Sequence, residues 1–94
     1  MMTVGVLTIR LEIPESNSLK DKRHALKSTL DILRTRFNVS AAEVGENDTW
    51  RRAVVGVACV SNEQANVSAV LNKVISLVES NPRLGILETQ MEML

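Results

Sequence analysis

Four basic residues, Lys20, Arg23, Lys27 and Arg34, are spaced 3, 4 and 7 residues apart. On a helix those steps return to one side, so the four form a stripe. A row of cations at that spacing can track a phosphate backbone, each contact adding to a salt-dependent affinity. The commoner use of such a row is a solvated helix face whose lysine and arginine stems cover the edges of the core. Across residues 19–37, six bases stand against Asp21 and Asp31, a local excess of four. The chain is neutral overall, so the remainder carries four excess negative charges, which argues against binding by bulk charge alone.

A second candidate is Trp50 with Arg51 and Arg52, just after a run of turn residues. An exposed tryptophan there can stack on a base or anchor a protein partner. In a chain whose only other aromatic is Phe37, the ordinary use of its largest residue is to lid one end of the core. His24 lies roughly opposite the apolar stripe of its helix, without carboxylates or cysteines at ligand spacing, and reads as a surface residue. Cys59, the single cysteine, sits in an apolar run and reads as a small core residue. It allows no internal disulfide, and a reducing compartment fits. There is no glycine-rich phosphate loop, HExxH or CxxC, so catalytic, cofactor and metal-binding residues are all expected to be none.

The elements that position these residues follow from periodicity. Leu7, Ile9, Leu11 and Ile13 alternate with Val6, Thr8, Arg10 and Glu12, a strand that Pro14 ends. Ser18 to Asp21 has the shape of a capping box. Behind it Leu19, Leu26, Leu30, Leu33 and Phe37 fall within about 60° of one another, which predicts a helix over 19–36. A strand over 38–44, a turn at Gly45-Glu46-Asn47-Asp48 and a strand over 52–60 follow. In that third strand both alternating sets are apolar or small, which suits a central position. Ser61-Asn62-Glu63-Gln64 reads as a second capping box, before a helix with Val67, Val70, Leu71, Val74, Leu77 and Val78 on one side. Asn81-Pro82 stops it. The last strand is expected to turn Leu87, Thr89, Met91 and Met93 inward and Glu88, Gln90 and Glu92 outward.

The order βαββαβ predicts an α+β, ferredoxin-like domain spanning 1–94. Its four-stranded antiparallel sheet has strands one and three in the middle and two helices on one face. The 94 residues fit one domain. No apolar run reaches the roughly 18 residues of a membrane span, and no charged segment precedes an apolar one at the N-terminus. The cytoplasm is therefore the expected location.

Taken in order, Ser18-Leu19-Lys20-Asp21-Lys22-Arg23, Arg36 to Val44, Trp50-Arg51-Arg52 and Gly56-Val57-Ala58 resemble the YlxP-like family of small bacterial proteins, whose function is unknown. The resemblance covers essentially the whole chain. It implies the ferredoxin-like fold and a bacterial, cytoplasmic protein. Relatives often lie beside genes for translation initiation and ribosome maturation factors, and the family supplies no catalytic set.

The expected fold hosts many functions, so it licenses none by itself. RNA-recognition motifs of this fold stack bases on sheet aromatics, which this chain lacks. The leading expectation is a non-enzymatic protein that contacts structured RNA or a ribosomal subunit through Lys20, Arg23, Lys27, Arg34, Trp50, Arg51 and Arg52. The alternative is a self-associating or small-ligand-sensing module. It would use an edge strand, or the open sheet face, with Val4, Val6, Thr8, Arg10 and Glu12 looking outward and Val54, Gly56, Ala58 and Val60 a candidate set beside them.

Overall fold

Strand β1 (Thr3–Glu12) leads into α1 (Leu19–Arg36), β2 (Ser40–Gly45), β3 (Arg52–Ser61), α2 (Gln64–Glu79) and β4 (Gly85–Met93). This computed structural model describes residues 1–94. The strands pair in the order β2-β3-β1-β4, every neighbouring pair antiparallel. That is the ferredoxin-like arrangement, with β1 and β3 central.

The alternation of β1 sets the two faces. Leu7, Ile9, Leu11 and Ile13 are buried, and in β3 the inward set is Ala53, Val55, Val57 and Cys59. Both helices cover this one face and add Leu26, Leu30 and Leu33 from α1 and Val67, Leu71, Val74 and Val78 from α2. Gly5 is where α2 comes closest to the sheet, since a Cβ there would overlap Val67 Cγ1 and crowd Leu71 and Met93.

Helix α1 begins as its cap dictates. The Ser18 hydroxyl accepts from Asp21 N at 3.0 Å, and Asp21 Oδ2 accepts from Asn17 N at 3.0 Å. Helix α2 departs from expectation. Its N-cap is Glu63, which makes no side-chain cap hydrogen bond. Ser61 still belongs to β3, and its hydroxyl accepts from Glu63 N at 3.3 Å. The second capping box does not form, because β3 runs through the residue that would have supplied it.

Strand β4 is also re-phased. Its pairing with β1 shifts between Arg10 and Leu11, so Ile86 stands opposite Leu11 and packs on the core. Leu87 is the extra residue of a bulge and is exposed. Met91 and Met93 keep their expected inward places.

Candidate nucleic-acid interface

The sheet topology gathers three loops at one end of the molecule, where β1 ends and β3 and β4 begin. They are the β1–α1 loop, the β2–β3 hairpin loop and the α2–β4 loop. Between the first turns of α1 and the first and third of these lies a concavity of about 500 Å³. Lys20, Arg23, Lys27 and His24 line it from the helix, and Arg83 faces them from the α2–β4 loop. Glu15 and Asp21 also reach it, but Asp21 is engaged by the Asn17 amide.

The expected stripe divides at its middle. Lys20 and Arg23 are exposed and make no hydrogen bond or ion pair within the protein. Lys27 donates to Asp31 at 2.8 Å, and Arg34 lies 3.6 Å from the same carboxylate. The Lys27 hydrogen bond, with the charges of Lys27 and Arg34, holds the Asp31 carboxyl below its ordinary range. Arg34 is outside the concavity. Its Nη2 donates to the Ala41 carbonyl, fixing the end of α1 to the edge strand β2. Arg34 is therefore a tie between elements.

The hairpin loop separates its three candidates in the same way. Trp50 is 54% exposed, so the expected core lid is not its place. Arg51, though exposed, spends its hydrogen bonds within the fold: Nε donates to Ser16 O at 2.9 Å, Nη2 donates to Asn17 Oδ1 at 3.2 Å, and its carbonyl accepts from Ile13 N at 2.8 Å. It fastens the hairpin loop to the β1–α1 loop that lines the concavity. Arg52 is exposed and stands opposite Glu12 across the strand pair.

Lys22 was not singled out by its type or spacing, yet it organises this end. Its side chain is fully buried, and Nζ donates to Glu46 O at 2.8 Å, Arg52 O at 3.1 Å and Asn47 O at 3.3 Å. Glu43 Oε2 lies 3.0 Å from the same nitrogen without a hydrogen bond. The physical reason is a count: an ammonium has three protons, and three carbonyls already take them. The carboxylate balances charge only. Glu46 itself has φ 55, a left-handed conformation uncommon for a residue with a Cβ. Lys22 and Thr49 N both bind its carbonyl, so the turn is held from two sides.

Arg83 and Lys22 are the residues that sequence reasoning missed. Arg83 was reachable from topology, because the expected strand order already places the α2–β4 loop beside the start of α1. Lys22 carried no such signal.

His24 is exposed in the concavity, and the Ser16 hydroxyl is engaged with Ser18 O at 3.0 Å. No nucleophile is paired with a base there. Cys59 is buried, and burial pushes its thiol above the ordinary range, away from reactive thiolate. No three His, Cys, Asp or Glu residues come together as metal ligands. No helix is long and apolar enough to cross a membrane.

These features define a ferredoxin-like α+β domain with a cationic concavity at one end of the sheet and no assembled catalytic constellation. The chain belongs to the family described as "Protein of unknown function (DUF503)", whose model matches residues 4–91. It is 35% identical over 81 residues to the "Uncharacterized protein YlxP" of Bacillus subtilis (strain 168), covering 86% of this chain and 88% of that one. Among solved structures it is similar to the "De novo designed protein Foldit4", with a TM-score of 0.55 at 11% identity over 100% of this chain and 97% of that one. At that identity the likeness speaks for the fold alone.

Proposed function

We propose that this protein is a non-enzymatic RNA-binding protein that engages structured RNA of a ribosomal subunit through the cationic concavity at its loop end. The observation that carries this reading is the meeting of Lys20 and Arg23 with Arg83 around one concavity, although Arg83 is some sixty residues away in the chain. Cations with no partner inside the protein, brought together from separate elements, are available to phosphates. Trp50 stands exposed at the same end of the sheet, and an indole contributes about 1–3 kcal/mol per stacked base.

The overall neutrality of the chain makes the attraction local, so its salt dependence reads the number of phosphates engaged. Three or four contacts from Lys20, Arg23, Lys27 and Arg83 give an affinity that falls roughly 40- to 150-fold between 50 and 200 mM salt. The test is co-sedimentation of the purified protein with bacterial ribosomal subunits across that salt range. The triple variant Lys20→Glu, Arg23→Glu, Arg83→Glu should lose binding, while Trp50→Ala should weaken it with the salt slope unchanged. Absence of binding at 50 mM salt, or equal binding by the triple variant, would refute the proposal.

A further inference from the structure

The helices cover one face of the sheet and leave the other bare. On the bare face β3 contributes Val54, Gly56, Ala58 and Val60, with Val60 51% exposed. Beside it β1 contributes Val4 and Val6, and on the far side β2 contributes Ala42 and Val44, the last 60% exposed. The face is polar along the β4 margin, where Glu88, Gln90 and Glu92 point outward, and at its loop end, where Arg10, Glu12 and Arg52 stand beside one another.

This face has relief as well as composition. Gly56, Ala58 and Ala42 form the floor of a shallow trough of about 380 Å³ along β3, and Val6 and Val44 rise on either side. The Val44 methyls crowd the place where a Gly56 Cβ would stand, so the floor is kept low from within the chain.

We infer that this face binds a second copy of the chain, related by a two-fold axis running parallel to the strands between β1 and β3. Under that axis β1 of each copy lies over β3 of the other at the same height, so Val6 enters the trough at Ala58, Val4 meets Val60, and Thr8 lies above Gly56, all reciprocally. Ridge and trough on one surface are what an isologous contact requires. The charges choose the same axis. An axis perpendicular to the strands would stack β4 on β4 and set Glu88 and Glu92 against their own copies. The parallel axis instead places that acidic row at the rim, over the partner's β2, and sets Glu12 of each copy over Arg52 of the other. The apolar patch of Val4, Val6, Ala58 and Val60 is thereby bordered by polar groups.

The size of the face sets the strength. Strands of ten, six, ten and nine residues span roughly 550 Å² per copy, below the ~800 Å² per partner of a stable complex. The dimer is therefore weak, forming at micromolar or higher concentration. Neither the basic concavity nor Lys22 lies on this face, so self-association and the RNA reading stand or fall separately.

Sedimentation velocity between about 1 and 500 µM tests the inference directly. The wild-type chain should pass from monomer to dimer with concentration. Val6→Lys and Val60→Lys should each remain monomeric at the top of the range. Val60 is already half exposed, so its variant folds even where Val6→Lys does not, and circular dichroism with a cooperative thermal transition confirms folding. The Lys20/Arg23/Arg83 charge-reversal variant should dimerise as the wild type does. A wild-type chain that stays monomeric throughout overturns the inference. A dimer that survives in folded Val60→Lys does so too, and moves the contact to another surface such as the β2 edge.

Discussion

Replacing Lys22 by Met keeps all but the terminal atom's length of an unbranched side chain and removes the fully buried ammonium at the loop end. The change leaves the carbonyls of Glu46, Asn47 and Arg52 without their donor and Glu43 without its counter-charge. Removing one partner of a buried ion pair costs about 3–5 kcal/mol, because the other is left uncompensated. Here the lower end applies. The Glu43 side chain is 18% exposed and Glu46 and Asn47 are exposed residues, so water recovers part of the loss. A loss of about 3 kcal/mol is a large share of a typical 5–15 kcal/mol, and for a domain of this length it lowers Tm by about 12–24 °C.

The assay is equilibrium urea unfolding of wild type, Lys22→Met, Glu43→Gln and the double variant, followed by circular dichroism. Since the ammonium's protons go to carbonyls, Glu43→Gln should cost less than Lys22→Met, although it leaves the buried ammonium without its counter-charge. The Lys22 loss should persist largely undiminished in the double variant. Emission from Trp50, the only tryptophan, reports the loop separately and should change in Lys22→Met before global unfolding. A Lys22→Met loss below about 1 kcal/mol would mean that the ammonium is hydrated in solution, and the account of this loop would be wrong.

Three further outcomes follow from named contacts. Gly5→Ala should destabilise by about 1–3 kcal/mol in the same assay, because the added Cβ overlaps Val67 where α2 meets the sheet. The Cys59 thiol should react with a disulfide reagent at neutral pH only as fast as the chain unfolds. Its folded pKa is raised by burial, so the unfolded thiol ionises first and stability should fall as pH rises through the ordinary thiol range. Asp31→Asn should strengthen RNA binding at low salt by releasing Lys27, which lines the concavity, from its carboxylate; unchanged binding would show Lys27 to be irrelevant to the interface.

How much of this was legible in the sequence depends on the range of the force involved. The bounds of α1 were, because Ser18 and the apolar stripe through Leu33 act within the helix itself. The central place of β3 was, because a doubly apolar strand has few other positions. The α2 cap was misread because the extent of β3 decides whether Ser61 is free to cap. Leu87 was misread because a bulge changes the phase of an alternation that periodicity assumes constant. The site shows the same division. Lys20, Arg23 and Lys27 share a surface because they share a helix face. Lys22, Arg34 and Arg51 are taken by backbone carbonyls of other elements, and nothing in their spacing records a carbonyl 7 to 35 residues away.

The two proposed surfaces bear on each other through the direction of the symmetry axis. A two-fold parallel to the strands keeps the ends of the sheet together, so the β1–α1, β2–β3 and α2–β4 loops of both copies lie at one end of the dimer. Two concavities and two Trp50 side chains would then face a single RNA, and the second contact would form at the high effective concentration that linkage provides. The number of phosphates engaged would double to about six to eight, and the fall in affinity between 50 and 200 mM salt would steepen to roughly 2,000- to 20,000-fold. Val60→Lys separates the cases, because it should return the salt slope to its monomer value while leaving every cation in place. A slope that does not depend on protein concentration or on Val60→Lys would show that RNA is engaged one chain at a time, with the sheet face idle in that encounter.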